Sequence, residues 1–183
     1  SSTAALASGG LTYKDIVKVT VSDLQAGNQA FMEGRTDANW LGLRSPLVEE
    51  ANARVGGVRW ISVIDTPEGA EKMAAIYPGS YPATVKAGTA TGLVNDTAML
   101  TNDIYLVASK DLSEDAAYAI VKALWDNMKE LWAAYPALSS WQQGRMVSKY
   151  AFIPYHPGVI KFFKEKGVWD KQMDDLQAKL LKQ

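Results

Sequence analysis

The sequence contains no cysteine, and its only histidine is His156. The missing cysteines exclude disulfides, zinc–thiolate sites and cysteine nucleophiles together. A hydrolase triad would have to use His156, and no G-x-S-x-G elbow surrounds any serine. No further metal ligand flanks the histidine at helical or strand spacing. The sequence therefore predicts no catalytic residues, no metal site and no enzyme activity.

Cofactor motifs and an excess of positive charge are also missing. Neither a Walker-type loop nor G-x-G-x-x-G occurs, and the run GTATG at 88–92 follows no convincing strand. Lys and Arg number 19 against 20 Asp and Glu, whereas a nucleic-acid-binding protein usually carries a basic face. No apolar run reaches the ~20 residues that a membrane helix needs. We therefore expect no cofactor, no nucleic-acid partner and no membrane span.

What remains is an ordinary globular composition, with 48% hydrophobic and 21% charged residues in a chain of 183. This length is enough for one large domain or two small lobes. Strand-like and helix-like segments alternate through the first 77 residues, with strands predicted at 16–21, 36–43 and 58–65. That order is typical of an α/β fold with a largely parallel sheet.

Helix starts between these strands are marked by capping residues. Ser22 forms a capping-box pair with Gln25, and Gly34 is placed to end that helix. The pairs Ser45-Pro46 and Thr66-Pro67 each predict an N-cap followed by proline in the first turn. Leu24, Asn28, Phe31 and Met32 form a modest apolar face of the first of these helices.

The second half of the sequence is predicted to be mainly helical. Residues 77–97 are rich in Gly, Pro, Thr and Ser and predict a loop or crossover, and 97–109 predict a strand or a pair of strands. Ser113 begins the clearest amphipathic helix, which continues to about Tyr135. A shorter helix is predicted around 141–148, followed by two C-terminal helices.

His156 lies in the run AFIPYHPGVIKFF, where it could take part in chemistry or serve as a structural residue at a helix start. Pro154 favours an extended chain before the histidine, and Pro157 is suited to the first turn of a helix. His156 then falls at or beside the N-cap, which favours a structural role over direct chemistry.

Three stretches together resemble the TAXI family of TRAP-transporter solute receptors. They are EGRTDANW at 33–40, DLSEDAAYAIVKALWDN at 111–127 and IPYHPGVIKFFKEKGVW at 153–169. Val159 stands where the family usually has alanine, and Phe162-Phe163 replaces a tyrosine pair. The resemblance implies a type II periplasmic-binding-protein-like fold with two lobes.

Family members are longer at the N-terminus, so the resemblance also implies that the N-terminal part of the family fold is missing here. Residues 1–90 would form most of lobe II, 91–110 the crossover and return strand, and 111–183 the helical C-terminal part of lobe I. We expect such a chain to associate with the missing segment or with itself, because apolar surface would be exposed.

The resemblance further implies an extracytoplasmic, periplasmic receptor that captures a small carboxylated solute, such as glutamate, glutamine or a dicarboxylate, by lobe closure. Its partners would be the membrane subunits of a TRAP transporter. A ligand-sensing or interaction module on the same fold, without a transport role, is the alternative. A lyase or transferase on this fold is disfavoured, because the sequence contains no recognisable set of catalytic residues.

Ligand-binding candidates follow from the expected cleft beyond the carboxyl ends of strands. Asn39 and Trp40 could supply donors and an aromatic wall, although Trp40 fits a core position equally well. Arg44 and Ser45, beside a helix N-terminus, could bind a carboxylate, although Arg44 could equally be a surface arginine. Tyr77 and Tyr81 flank the expected crossover and could form a lid or simply pack a loop.

Overall fold

The computed structural model describes residues 2–135, 138 and 141–182. These residues divide into two compact units, one ending at Asn102 and the other beginning at Asp103. The helices of the first unit are α1 (Ser2–Ser8), α2 (Leu24–Met32), α3 (Pro46–Val55) and α4 (Pro67–Ile76). Its strands are β1 (Ser80–Val85) and β2 (Thr97–Asn102). The second unit contains α5 (Glu114–Asp126), α6 (Met128–Ala134), α7 (Pro157–Glu165) and α8 (Lys171–Leu180), with a short 3₁₀ turn at Gln143–Arg145.

The sheet of the first unit is an antiparallel pair, with Ser80 opposite Asn102 and Val85 opposite Thr97. The predicted loop over 77–97 is therefore wrong where β1 lies, and the strand predicted from Thr97 is confirmed up to Asn102. The strand β1 was not predicted because Pro82 and the flanking turn residues are typical of a loop. A proline is tolerated in a two-stranded ribbon because its missing N–H can face away from the neighbour.

The predicted parallel strands do not form among the described residues. Residues 16–21 and 36–43 lie outside helix and strand, and the prediction of strands there is wrong. Residues 58–65 are also unassigned, but Trp60 N–H donates to Gly92 O (3.2 Å) and Val63 N–H to Ala98 O (2.8 Å). A strand requires a continuous hydrogen-bonded neighbour along its length; within the described part of the chain, residues 58–65 have only these two backbone bonds, and residues 16–21 have none. The described fold is thus mixed, with many helices and a small antiparallel sheet.

Helix termini agree better with the sequence. Ser45 and Thr66 cap α3 and α4, with proline in the first turn of each, and the left-handed Gly56 ends α3. Ser113 caps α5 as predicted. For α2 the N-cap is Asp23 rather than Ser22, because the Asp23 carboxylate accepts from Ala26 N–H (2.8 Å) while the Ser22 hydroxyl donates to that carboxylate.

Two helical predictions in the second unit need correction. The long helix predicted from Ser113 is divided at Asn127, whose side-chain amide donates to Ala123 O (2.8 Å) and so satisfies the end of α5. The helix predicted around 141–148 is reduced to the turn Gln143–Arg145.

No helix among the described residues combines the length and apolarity needed to cross a membrane.

Each unit has its own buried contacts. In the first, α1 packs on α4, α2 on α3 and α4 on β1, around small and flexible apolar residues such as Ala4, Ala30 and Met73. In the second, α5 packs on α7, and Phe162 and Phe163 are almost completely buried. The ring of Phe162 meets Tyr118 and Trp125 edge-on, with centroids 5.4 and 5.6 Å apart.

Candidate functional site

A cavity of about 390 Å³ lies between α2 and α3 in the first unit. Its walls mix amides, carboxylates and a few apolar side chains. The lining residues are Asp23, Gln25, Ala26, Gln29, Met32, Leu47 and Glu50. Two of them are acidic and none is basic, so the cavity itself favours neutral or cationic groups.

Asn28 lies on α2 beside this cavity and is hydrogen-bonded to α3. The sequence did not predict it as a site residue. Its side chain is 1% exposed, and its amide donates to Leu47 O (3.1 Å). Its side-chain oxygen has no hydrogen-bond partner, which is costly for a buried polar atom. The sequence marks Asn28 only as a polar residue on the predicted apolar face of this helix, because its burial depends on the distant helix α3.

Asn39 and Trp40 lie on the segment that follows α2. The Asn39 side-chain oxygen accepts from Trp40 N–H (2.8 Å), and the Asn39 side-chain amide donates to no group among the described residues. Asn39 also packs on α2, since a Cβ at Gly27 would lie 3.1 Å from its oxygen. Trp40 is 40% exposed, so it is not a core residue of the first unit.

Arg44 and Ser45 form the entry to α3. Arg44 has a left-handed backbone (φ 63°), which is strained for a residue with a side chain. Its guanidinium is exposed and makes no ion pair within the described residues. The Ser45 hydroxyl accepts from Leu47 N–H (3.3 Å) and already caps the helix, so an incoming anion would meet Arg44 rather than the Leu47 amide.

Acidic residues lie in the first turn of α3 and at the start of α2. Glu49 lies in the first turn of α3, where its carboxylate accepts from the Thr91 hydroxyl (2.8 Å). At the start of α2, hydrogen bonds from Ala26 N–H and then from Ser22 hold the pKa of Asp23 below its usual range. Asp23 is therefore charged at neutral pH, and its charge suits the positive end of α2. These carboxylates would repel an anion, so a carboxylate at this entry would depend on the Arg44 guanidinium.

Tyr77 and Tyr81 lie at the junction between α4 and β1. Tyr77 is the C-cap of α4. Its carbonyl accepts from both Ser80 N–H (3.0 Å) and the Ser80 hydroxyl (2.6 Å). Tyr81 is the second residue of β1 and lies opposite Thr101. Both side chains are half-buried. No hydrogen bond within the described part of the chain joins Tyr77 to the group at 39–45.

A second cavity, of about 630 Å³, lies at the break between α5 and α6 in the second unit. Gln143 donates to Trp125 O (2.8 Å), and the Trp132 indole N–H donates to Trp141 O (2.9 Å). The sequence predicted no site residue here, because it predicted one continuous helix where the structure has α5 and α6.

His156 is the N-cap of α7, as predicted. Its Nδ1 accepts from Gly158 N–H (3.2 Å), and its Nε2 lies 2.9 Å from Leu112 O, to which it donates. Both ring nitrogens are thus used for structure. No group of three or more His, Asp or Glu side chains among the described residues is arranged to hold a metal ion.

Comparison with known proteins gives one family. The family model described as "NMT1-like family" matches residues 1–167. No curated protein matches the chain.

Proposed function

The chain belongs to the NMT1-like family, a family of binding proteins with a periplasmic-binding-protein-like fold, and we propose that it captures a small carboxylated solute. Proteins of this family bind small molecules and are typically extracytoplasmic. A binding role also agrees with a sequence that contains no recognisable catalytic set.

The observation that carries the choice of a carboxylate is Arg44. Its guanidinium is exposed, has no ion pair among the described residues and directly precedes the N-terminus of α3. A guanidinium binds a carboxylate through two parallel hydrogen bonds, and the positive end of the helix adds to the attraction. Asn39 and Trp40 would then contribute a neutral donor and an aromatic wall, Ser45 a hydroxyl, and Tyr77 and Tyr81 a lid.

Our finer proposal is that the protein is a TAXI-type receptor of a TRAP-type secondary transporter. The solute would be glutamate, glutamine or a dicarboxylate, and its binding would shift a hinge equilibrium toward a closed form that docks on the membrane subunits. In this account residues 1–90 belong to lobe II, 91–110 to the crossover and return strand, and 111–183 to lobe I.

A thermal-shift screen tests the proposal. Glutamate, glutamine and C4–C5 dicarboxylates are added to the chain one at a time, and the melting temperature is measured. A true ligand at about a hundred times its dissociation constant should raise the melting temperature by roughly 5–10 °C.

Two arginines of the α3 region make a matched pair of variants. Arg44→Ala should abolish most of the shift, whereas Arg54→Ala, in the last turn of the same helix, should leave it intact. If no carboxylated solute raises the wild-type melting temperature, the proposal fails. If Arg44→Ala keeps the full shift, the carboxylate is held elsewhere.

A further inference from the structure

The cavity at the break between α5 and α6 belongs to the second unit, whereas the residues proposed to hold a carboxylate belong to the first. Its volume of about 630 Å³ lies within the roughly 300–1,000 Å³ that is usual for small-molecule sites. Trp125 and Trp132 line it together with side-chain amides and charged groups. Aromatic walls with a few polar groups are typical of a ligand site, so the second unit has a candidate site of its own.

Trp132 provides an aromatic surface in this cavity. Its indole N–H donates to Trp141 O (2.9 Å), which fixes the ring and uses its one polar hydrogen, yet the side chain is only half-buried. No aromatic ring or ammonium group among the described residues is stacked on it. Trp125, by contrast, packs edge-on against Phe162 and has the Lys166 ammonium 6.0 Å from its ring centroid. Trp132 is therefore the ring better placed to receive a ligand.

Three amide side chains give the cavity hydrogen-bonding groups without charge. The side-chain N–H groups of Asn127 and Gln143 donate to Ala123 O (2.8 Å) and Trp125 O (2.8 Å). These bonds hold both side chains in place, and their oxygens accept no hydrogen bond from the described residues, so they are preorganised acceptors. Gln142 makes no side-chain hydrogen bond within the same part of the chain, and its amide can both donate and accept.

The charged side chains of the lining leave little net charge for an ion to bind. Asp126 is ion-paired with Lys122. Lys129 and Glu130, the other charged residues of the lining, have opposite signs. The cavity therefore favours a neutral ligand over a simple anion or cation.

We propose that this cavity binds a neutral saccharide of one or two rings. A pyranose has an apolar face of C–H groups and a rim of hydroxyls, each of which can donate and accept a hydrogen bond. The C–H face packs on the ring of Trp132. The hydroxyls donate to the side-chain oxygens of Asn127 and Gln143, and they pair with Gln142 in either direction. A ligand rich in O–H donors suits these amides, because all three oxygens but only the N–H groups of Gln142 are left for it.

The same lining disfavours other ligands that pack on tryptophan. A wholly apolar ligand would cover the amide groups without pairing them, which costs free energy. A quaternary ammonium is best bound in a cage of open rings, and Trp125 already has the Lys166 ammonium near its ring. A nucleoside base stacks on tryptophan too, but it offers fewer N–H or O–H donors to the three amide oxygens than a sugar does.

NMR of the indole N–H groups in the wild-type chain is the first test. The chain has six tryptophans, so six signals are expected, and those of Trp125 and Trp132 are assigned from Trp125→Phe and Trp132→Phe. The titrants are glucose, galactose, mannose, N-acetylglucosamine, maltose, cellobiose and diacetylchitobiose. At least one should shift the Trp132 signal saturably and leave the signal of Trp60, in the first unit, unchanged.

Choline and adenosine are the comparison ligands in the same titration. If no saccharide shifts the Trp132 signal, the proposal is wrong. If choline or adenosine shifts it and no saccharide does, the cavity belongs to a different class of ligand and the proposal is equally wrong.

Gln142→Ala tests the cavity with little risk to folding, because this exposed side chain makes no hydrogen bond among the described residues. The variant should bind the saccharide that shifts Trp132 about fivefold more weakly than the wild type does. Gln172→Ala is the matched control, since Gln172 is an exposed glutamine of α8 outside the cavity lining, and its affinity should be unchanged. Equal affinities of the two variants would contradict binding in this cavity.

Trp132→Ala tests the stacking surface and should weaken saccharide binding by about tenfold or more. Tyr135→Ala, which removes a 62% exposed ring just after α6 and outside the cavity lining, should bind like the wild type. Trp132→Phe retains a ring and should keep measurable binding, which provides a second variant if the alanine variant folds poorly. Full affinity in a folded Trp132→Ala chain, or no binding by a folded Trp132→Phe chain, would overturn the proposal.

Discussion

At the scale of single residues, capping side chains determine much of the local structure. His156 caps α7 with one ring nitrogen and ties it to Leu112 O with the other. The sequence was sufficient to predict this role, because a histidine directly before a proline at a helix start has few other local uses. Asn28 could not be assigned in the same way, since its burial depends on α3, which lies nineteen residues further along the chain.

Removing the His156 cap should destabilise the second unit. His156→Ala loses both the acceptor for Gly158 N–H and the donor to Leu112 O, so the free energy of unfolding should fall by about 1–2 kcal/mol in urea titrations. His156→Asn can still cap the helix and should lie between the alanine variant and the wild type. An alanine variant as stable as the wild type would show that the cap contributes nothing.

Acid should weaken the start of α2 through Asp23. Its pKa in the folded chain is below its usual value of 3.8, mainly because Ala26 N–H donates to the carboxylate. The contribution of Asp23 to stability is therefore present above that usual value and is lost as the pH falls through the folded pKa.

Asp23→Asn isolates this effect, since asparagine caps a helix about as well but does not titrate in acid. The asparagine variant should lose less stability than the wild type when urea titrations are repeated from about pH 5 to about pH 2. Asp37→Asn, which caps no helix, serves as the control for a general change in charge. Identical acid dependence of wild type and Asp23→Asn would refute the role of this carboxylate.

At the scale of elements, helices could be predicted from the sequence far better than strands. A helix satisfies its own backbone, so a cap at Ser45, Thr66 or Ser113 and a nearby apolar stripe are sufficient. A strand needs a partner that the local sequence does not identify. Residues 16–21 alternate like a strand but form no ladder with another described segment, whereas Ser80–Val85 contains a proline and pairs with β2.

The packing of α7 on α5 depends on Gly158. A Cβ at this position would lie 2.1 Å from Glu114 O, and a backbone oxygen cannot move aside without moving α5. Gly158→Ala should therefore lower the free energy of unfolding by about 3 kcal/mol, in the upper part of the usual range for overpacked sites.

Gly144→Ala is the matched control for this substitution. A Cβ at Gly144 would meet nothing within 4 Å, and its backbone is not left-handed. Its stability should stay close to that of the wild type. If Gly158→Ala were no less stable than Gly144→Ala in the same urea titrations, the close approach of α7 to α5 would be wrong.

At the scale of the whole molecule, family membership says more about function than the cavities do. Residues 1–167 match the NMT1-like family, which indicates a binding protein. The cavity between α2 and α3 has an acidic lining, and Arg44 is not among its lining residues. Sequence reasoning could place Arg44 and Ser45 before a helix, because that is local information. It could not predict which surfaces meet around a solute, because that depends on distant segments.

Calorimetric titration of the wild-type chain measures directly whether the protein binds a carboxylated solute. The titrants are the carboxylated solute with the largest thermal shift and its fully amidated, uncharged analogue. We predict saturable 1:1 binding of the acid, and binding of the amide that is weaker by at least about tenfold, because charge-assisted hydrogen bonds contribute about 1.5–3 kcal/mol. No saturable heat with the acid, or equal affinity for the acid and its amide, would contradict the account.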